Sequence, residues 1–151
     1  GGYYGRLFFN VKGREPRGII PFQQYEIMRN ELKFKLEDQR DENGKKINTK
    51  VFKPEEIYSE CRNIPPDLLI YYGDLSWRSV GSVGHNTMWT DKNDTGEDSA
   101  NHAQHGIFVM QTNNQYHAEE RSGLHIMDIT PTVLHHMQVE IPWYMEGTVI
   151  Q

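Results

Sequence analysis

The chain has 151 residues, with 16 Lys plus Arg against 21 Asp plus Glu and a formal net charge of −5. That length suits one domain over residues 1–151, able to bury about two-thirds of its unfolded surface, and the acidic balance argues against a nucleic-acid surface. The single cysteine, Cys61, excludes an internal disulfide, and no stretch approaches the roughly 20 apolar residues of a membrane span; the expectation is a soluble, cytoplasmic protein with no membrane partner.

The chain opens Gly1-Gly2-Tyr3-Tyr4 without a methionine and runs almost directly into a strand pattern, as an excised piece of a longer protein does. Tyr4 to Val11 is rich in aromatic and branched residues and predicts a strand, closed by the Gly- and Pro-punctuated turn Lys12-Gly13-Arg14-Glu15-Pro16. Arg14 could contact an anion there, but a salt bridge to a nearby carboxylate is the simpler role. From Phe22 the period changes: Phe22, Tyr25, Met28, Leu32 and Leu36 mark the core face of a helix running to about Gln39, while Arg29, Glu31, Lys33, Lys35, Glu37 and Asp38 are assigned to its solvated side.

Asn43-Gly44 supplies a tight turn. An exposed strand is possible over 45–52, and Pro54-Glu55-Glu56 suits the first turn of a short helix. Asp67 to Tyr72 is a continuous apolar run and the most convincing central strand, of the kind that parallel sheets bury on both faces. The small run Gly81-Ser82-Val83-Gly84 lacks the lysine of a P-loop and the glycine spacing of a dinucleotide fold, so it carries no phosphate-binding prediction. Gly106 to Met110 reads as a second short buried strand, 111–123 as a long polar connection, and Thr130-Pro131 as the cap and first position of a helix ending near Met137. The alternation of strands and helices points to an α/β class with both apolar runs central in one sheet.

Chemistry is concentrated in the polar loop that runs from Asn93 through His102 and His105 into Gly106. Carboxylates beside imidazoles form the usual ligand mixture for a divalent metal, and loops leaving sheet strands are where ligands are commonly held. Spacing alone leaves a hydrogen-bonded structural role for either histidine as the simpler alternative, since a zinc centre needs about three or four ligands. No Ser/His/Asp set, zinc-finger spacing or P-loop is present.

Two stretches nevertheless resemble the C-terminal end of the alkaline phosphatase superfamily, in particular its predicted phosphohydrolases and phosphomutases allied to type I phosphodiesterase/nucleotide pyrophosphatase. The tail Asp128-Ile129-Thr130-Pro131-Thr132, continued by Ile141-Pro142 and Met145-Glu146-Gly147, is similar to that family's closing Asp-x-x-Pro-Thr helix and turn. Asn101-His102-Ala103-Gln104-His105-Gly106-Ile107-Phe108 resembles the segment before it, in which a histidine four residues ahead of a glycine ligates a metal pair. The opening Gly2-Tyr3-Tyr4-Gly5-Arg6 and the turn Gly13-Arg14-Glu15-Pro16 also look like this branch, whereas Gln138 and Glu140 stand where relatives often carry Gly and Pro.

The resemblance implies the C-terminal part of a mostly parallel sheet flanked by helices, within a longer metal-dependent phosphohydrolase. It implies that His102 is one ligand of a zinc or manganese pair, with the nucleophile and remaining ligands upstream, and that the full-length protein acts on a small phosphate-ester substrate. This segment alone then holds no metal and no catalytic residue, and is inactive. His105, directly before Gly106, is expected to pack partly against the sheet end, and Asn101 or Asp98 to hold the second ring nitrogen of His102. The alternative is a non-catalytic binding or structural module, with the 91–101 loop, Trp77 and Trp89 as a partner surface.

Overall fold

The computed structural model describes residues 3–90, 92, 96, 100–111 and 121–150. They divide into two compact units, residues 1–107 and 108–151.

The first unit is built on a three-stranded antiparallel sheet in the order β1 (Gly5–Leu7), β3 (Leu68–Tyr71), β2 (Lys50–Phe52). β3 is central, as its apolar run predicts, but both neighbours run against it. Its register sets Gly5 and Val51 opposite Ile70, and Arg6 and Phe52 opposite Leu69. The pleat therefore places Leu68, Ile70 and Val51 on one face, all buried, with Leu7, Phe9, Leu32, Leu36 and Tyr72 packed against them. Leu69 and Tyr71 take the other face, where Tyr71 meets the Phe52 ring at 5.3 Å and the Tyr4 ring at 5.8 Å.

α1 (Phe22–Glu37) lies on the first face. Its inward stripe is Tyr25, Arg29, Leu32 and Leu36, spaced by three or four residues, so the face differs from the sequence reading at three positions. Phe22 and Met28 are exposed, and Arg29, assigned to solvent, is buried at 5% exposure. Arg29 fits because each of its three guanidinium nitrogens finds a partner. Its Nε donates to the Asp67 carbonyl at 2.9 Å, its terminal nitrogens pair with Glu55 and Glu26, and its guanidinium lies over the Tyr25 ring. Burial alone would favour the neutral form, but Glu55 and Glu26 outweigh it and hold Arg29 more firmly charged. α2 (Pro54–Ile57) follows the expected proline start and presents Glu55 to that arginine. Lys33 extends the polar seam, donating to the Val51 carbonyl at 2.6 Å and to Glu56 at 2.9 Å.

At the start of β3 the turn after β1 closes on Asp67. Arg14 grips the Asp67 carboxylate with both terminal nitrogens, at 2.6 and 2.7 Å, while the Tyr25 hydroxyl and the Phe9 amide each donate to it at 2.5 Å. Arg14 also donates to Glu15 and to the Phe9 carbonyl, so the salt-bridge role expected for it is the one it performs. Burial pushes the Asp67 carboxyl up, and the bonds from Arg14, Tyr25 and the Phe9 amide more than reverse this, holding it below the usual carboxylate range. Tyr25 is pushed up to about 12 by burial and by Asp67.

The apolar run Gly106 to Met110 departs from expectation. Among the described residues it pairs with no strand, and Ile107 and Val109 are 96% and 87% exposed. Apolar composition makes a strand possible, but only a partner ladder makes one. The possible strand over 45–52 is realised only at its end, with Val51 buried rather than exposed.

In the second unit a 3-10 turn, Ile126–Asp128, leads into α3 (Ile129–His136). The helix begins two residues earlier than the Thr130 cap predicts, which puts Pro131 third, where its missing N–H still has no intrahelical partner to lose. Asp128 does the fastening instead: its carboxylate accepts from the His125 and Thr148 amides, both at 2.8 Å. Thr132, fully buried, donates its hydroxyl to the Asp128 carbonyl and accepts from the Ile150 amide. Gly147 completes the clamp, since a Cβ there would stand 2.0 Å from the Met127 carbonyl oxygen. Within this unit the Asp-x-x-Pro-Thr tail motif is a structural tie between α3 and the residues Thr148 and Ile150.

Candidate functional site

The carboxyl end of β3 carries the longest run of positive-φ residues among the described residues. It leaves the sheet through Tyr72–Leu75, where Gly73, Asp74 and Leu75 in succession have φ of 57°, 53° and 70°. A left-handed conformation costs about 1–2 kcal/mol at each non-glycine residue, so the turn persists because its surroundings hold it. The Ser76 hydroxyl donates to the Gly73 carbonyl at 2.5 Å, the Trp77 amide to the Tyr72 carbonyl at 3.1 Å, and Lys50 pairs with Asp74 at 2.7 Å. Only glycine suits position 73, where a Cβ would lie 2.4 Å from the Ser76 oxygen and 2.6 Å from the Trp77 ring. Backbone strain of this sort gathers at functional sites.

The histidine loop is fastened to this turn. Asn101 reaches back 26 residues and donates its Nδ2 to the Leu75 carbonyl at 2.5 Å, while its Oδ1 accepts the His102 amide at 2.9 Å. The His102 ring meets the Tyr3 ring edge-on, centroids 4.2 Å apart at 83°, and the Arg78 guanidinium sits 5.3 Å from the centre of the same Tyr3 ring. Beside this end of the strand a groove of about 360 Å³ is lined by Tyr4, Arg6, Ile70, Tyr72, Ser79 and Gly81, among others.

His102 is exposed. Asn101 holds its main chain, where the sequence reading has Asn101 or Asp98 holding its ring; Asp98 lies outside the described residues. His105 is exposed as well, which corrects its expected packing against the sheet end: the strand it was to flank is not formed. Among the described residues no three His, Cys, Asp or Glu side chains converge, and the acidic Asp91, Asp94, Glu97 and Asp98 lie outside them. Among the described residues His102 is therefore not accompanied by the two or three further ligands that a zinc centre takes.

Trp77 and Trp89, read from the sequence as a partner surface, pack on each other at 5.1 Å, with Trp77 40% exposed. The residues the sequence did not single out are Tyr3, Arg78 and the Leu75 carbonyl. Gly73-Asp74 directly after an apolar strand is the one local signal of a turn here, and nothing in sequence spacing joins position 3 or 75 to position 102. No helix among the described residues is long and apolar enough to cross a membrane. Compared with family models, curated proteins and solved structures, the chain matches none.

Proposed function

We propose that this chain is the C-terminal portion of a metal-dependent phosphohydrolase of the alkaline phosphatase superfamily, allied to type I phosphodiesterase/nucleotide pyrophosphatases. His102 is one ligand of a zinc or manganese pair whose other ligands and nucleophile come from elsewhere in the full-length protein. The observation that supports this most is the fastening of the His102 loop to the strained carboxyl end of the central strand, through Asn101 and the Leu75 carbonyl. The order of the resembling motifs along the chain supports it independently.

When bound, the metal pair supplies polarisation of the phosphoryl oxygens and activation of the nucleophile. The contribution of this chain is narrower. His102 offers an imidazole nitrogen from a loop held at a sheet end, and the Tyr3 ring limits how that imidazole can swing. The Asp128–Thr132 clamp, in the second unit, ties α3 to Thr148 and Ile150.

The test is hydrolysis of p-nitrophenyl phosphate and bis-p-nitrophenyl phosphate by the full-length protein and by residues 1–151 alone. The full-length protein should turn over at least one ester, lose that activity to a chelator and recover it with zinc or manganese, whereas the 151-residue chain should do neither. Chelator-sensitive turnover by the 151-residue chain, or full-length activity indifferent to chelation, contradicts the assignment.

A further inference from the structure

We propose that Lys33 and Glu37 of α1 stand in for a neighbouring strand at the β2 edge of the sheet, and that they keep a second copy of this chain from pairing there. β2 is an edge strand, with no strand on its outer side among the described residues. Along such an edge every second residue turns its N–H and C=O away from the ladder, and those groups are a template for another chain. At Val51 both are taken by α1: Lys33 Nζ donates to the carbonyl at 2.6 Å, and the amide donates to Glu37 Oε1 at 3.4 Å. One turn apart on the helix, the two side chains offer the donor and the acceptor that a strand would offer. Lys53, the next outward residue, is closed as well. Its amide donates to Glu56 Oε2 at 3.0 Å, and its carbonyl accepts the Glu56 amide at 2.9 Å.

Lys33 joins the two closures, since its ammonium also donates to Glu56 at 2.9 Å. Symmetry fixes the occupant that this guard excludes. A donor and an acceptor on one residue are self-complementary, so two copies related by a two-fold axis can exchange both bonds through their Val51 residues, antiparallel as β2 already is with β3. Each copy must first release its own Lys33 and Glu37. Pro54 has no N–H and begins α2, so a pair formed here stays short.

The experiment uses the 151-residue chain. It measures the self-association constant by sedimentation velocity over a concentration series, hydrogen exchange at Val51, and the far-UV signal as the check on folding. Lys33→Ala combined with Glu37→Ala should associate about tenfold or more tighter than the parent, the scale of two backbone hydrogen bonds, with slower exchange at Val51 in the associated form. Lys33→Met keeps most of the stem and loses the donor, so it should also associate more tightly, whereas Glu37→Gln keeps an acceptor and should match the parent. A parental constant in the folded double variant overturns the proposal; if the double variant loses its far-UV signal, Lys33→Met decides by the same criterion. Tighter association without protection at Val51 places the contact on another surface and overturns it. Equal tightening by Glu37→Gln would make lost charge the cause instead of lost bonding, and overturns it too.

Discussion

Asp67→Asn is the sharpest perturbation of the fold, because it changes charge and hydrogen bonding without changing shape. The Asp67 side chain is 2% exposed and receives two charge-assisted bonds from Arg14, whose own side chain is 31% exposed. Hydrogen bonds to a charged group contribute about 1.5–3 kcal/mol each, and the exposure of Arg14 favours the lower figure, so losing the pair costs about 3 kcal/mol. The amide adds to this, since its NH2 faces either the Phe9 amide or Arg14 and Tyr25, all of them donors. Urea unfolding followed by tryptophan fluorescence should show the unfolding free energy falling by that amount, through a lower midpoint at unchanged slope. A loss below about 1 kcal/mol would refute the claim that this cluster pins β1, α1 and β3 together. The pH dependence has a fixed sign. The folded-state value of Asp67 lies below its ordinary 3.8, so its contribution is fully present above that value and disappears as the pH falls through the lower one. Glu55, lowered from its ordinary 4.5 chiefly by its bond from Arg29, acts in a window that begins at a higher pH, and Asp67→Asn should flatten the acid limb only in part.

Two further outcomes follow from packing and backbone. Leu68→Ala, at a side chain with 0% exposure in the sheet core, should cost about 3 kcal/mol of stability in the same urea assay, and a cost under about 1 kcal/mol would place the core elsewhere. Gly73→Ala introduces a Cβ against Ser76 and Trp77 at positive φ and should destabilise by about 2 kcal/mol or more; a neutral result would show that the turn is not held as described.

Much of the framework is written locally. The period of Tyr25, Leu32 and Leu36 gives α1, the run ending at Tyr71 gives the central strand, and Pro54 and Pro131 mark short helices within a few residues. What local pattern could not supply is pairing. A continuous apolar run fits a central strand whichever way its neighbours run, and for Gly106 to Met110 it fits a strand whether or not a partner exists. Arg29 was misplaced for a different reason: it occupies an inward helical position by spacing, but a guanidinium reads as solvated until Glu26, Glu55 and the Asp67 carbonyl are seen to satisfy it. A charge on an apolar stripe, with carboxylates downstream, is the signal that could have found it. At the candidate site composition marks the loop of His102 and His105 and the resemblance selects His102, whereas the neighbours Tyr3, Leu75 and Arg78 are far away in sequence and converge only through the fold.

The central claim is that His102, and not His105, carries metal. Both are exposed, so neither substitution should disturb the fold, and the comparison isolates ligation. The direct measurement is zinc and manganese content per full-length molecule, taken on the parent, His102→Ala and His105→Ala at matched concentration. His102→Ala should lose metal, with turnover falling by orders of magnitude, while His105→Ala keeps parental content. Parental metal content in His102→Ala, or its loss in His105→Ala alone, would contradict the account.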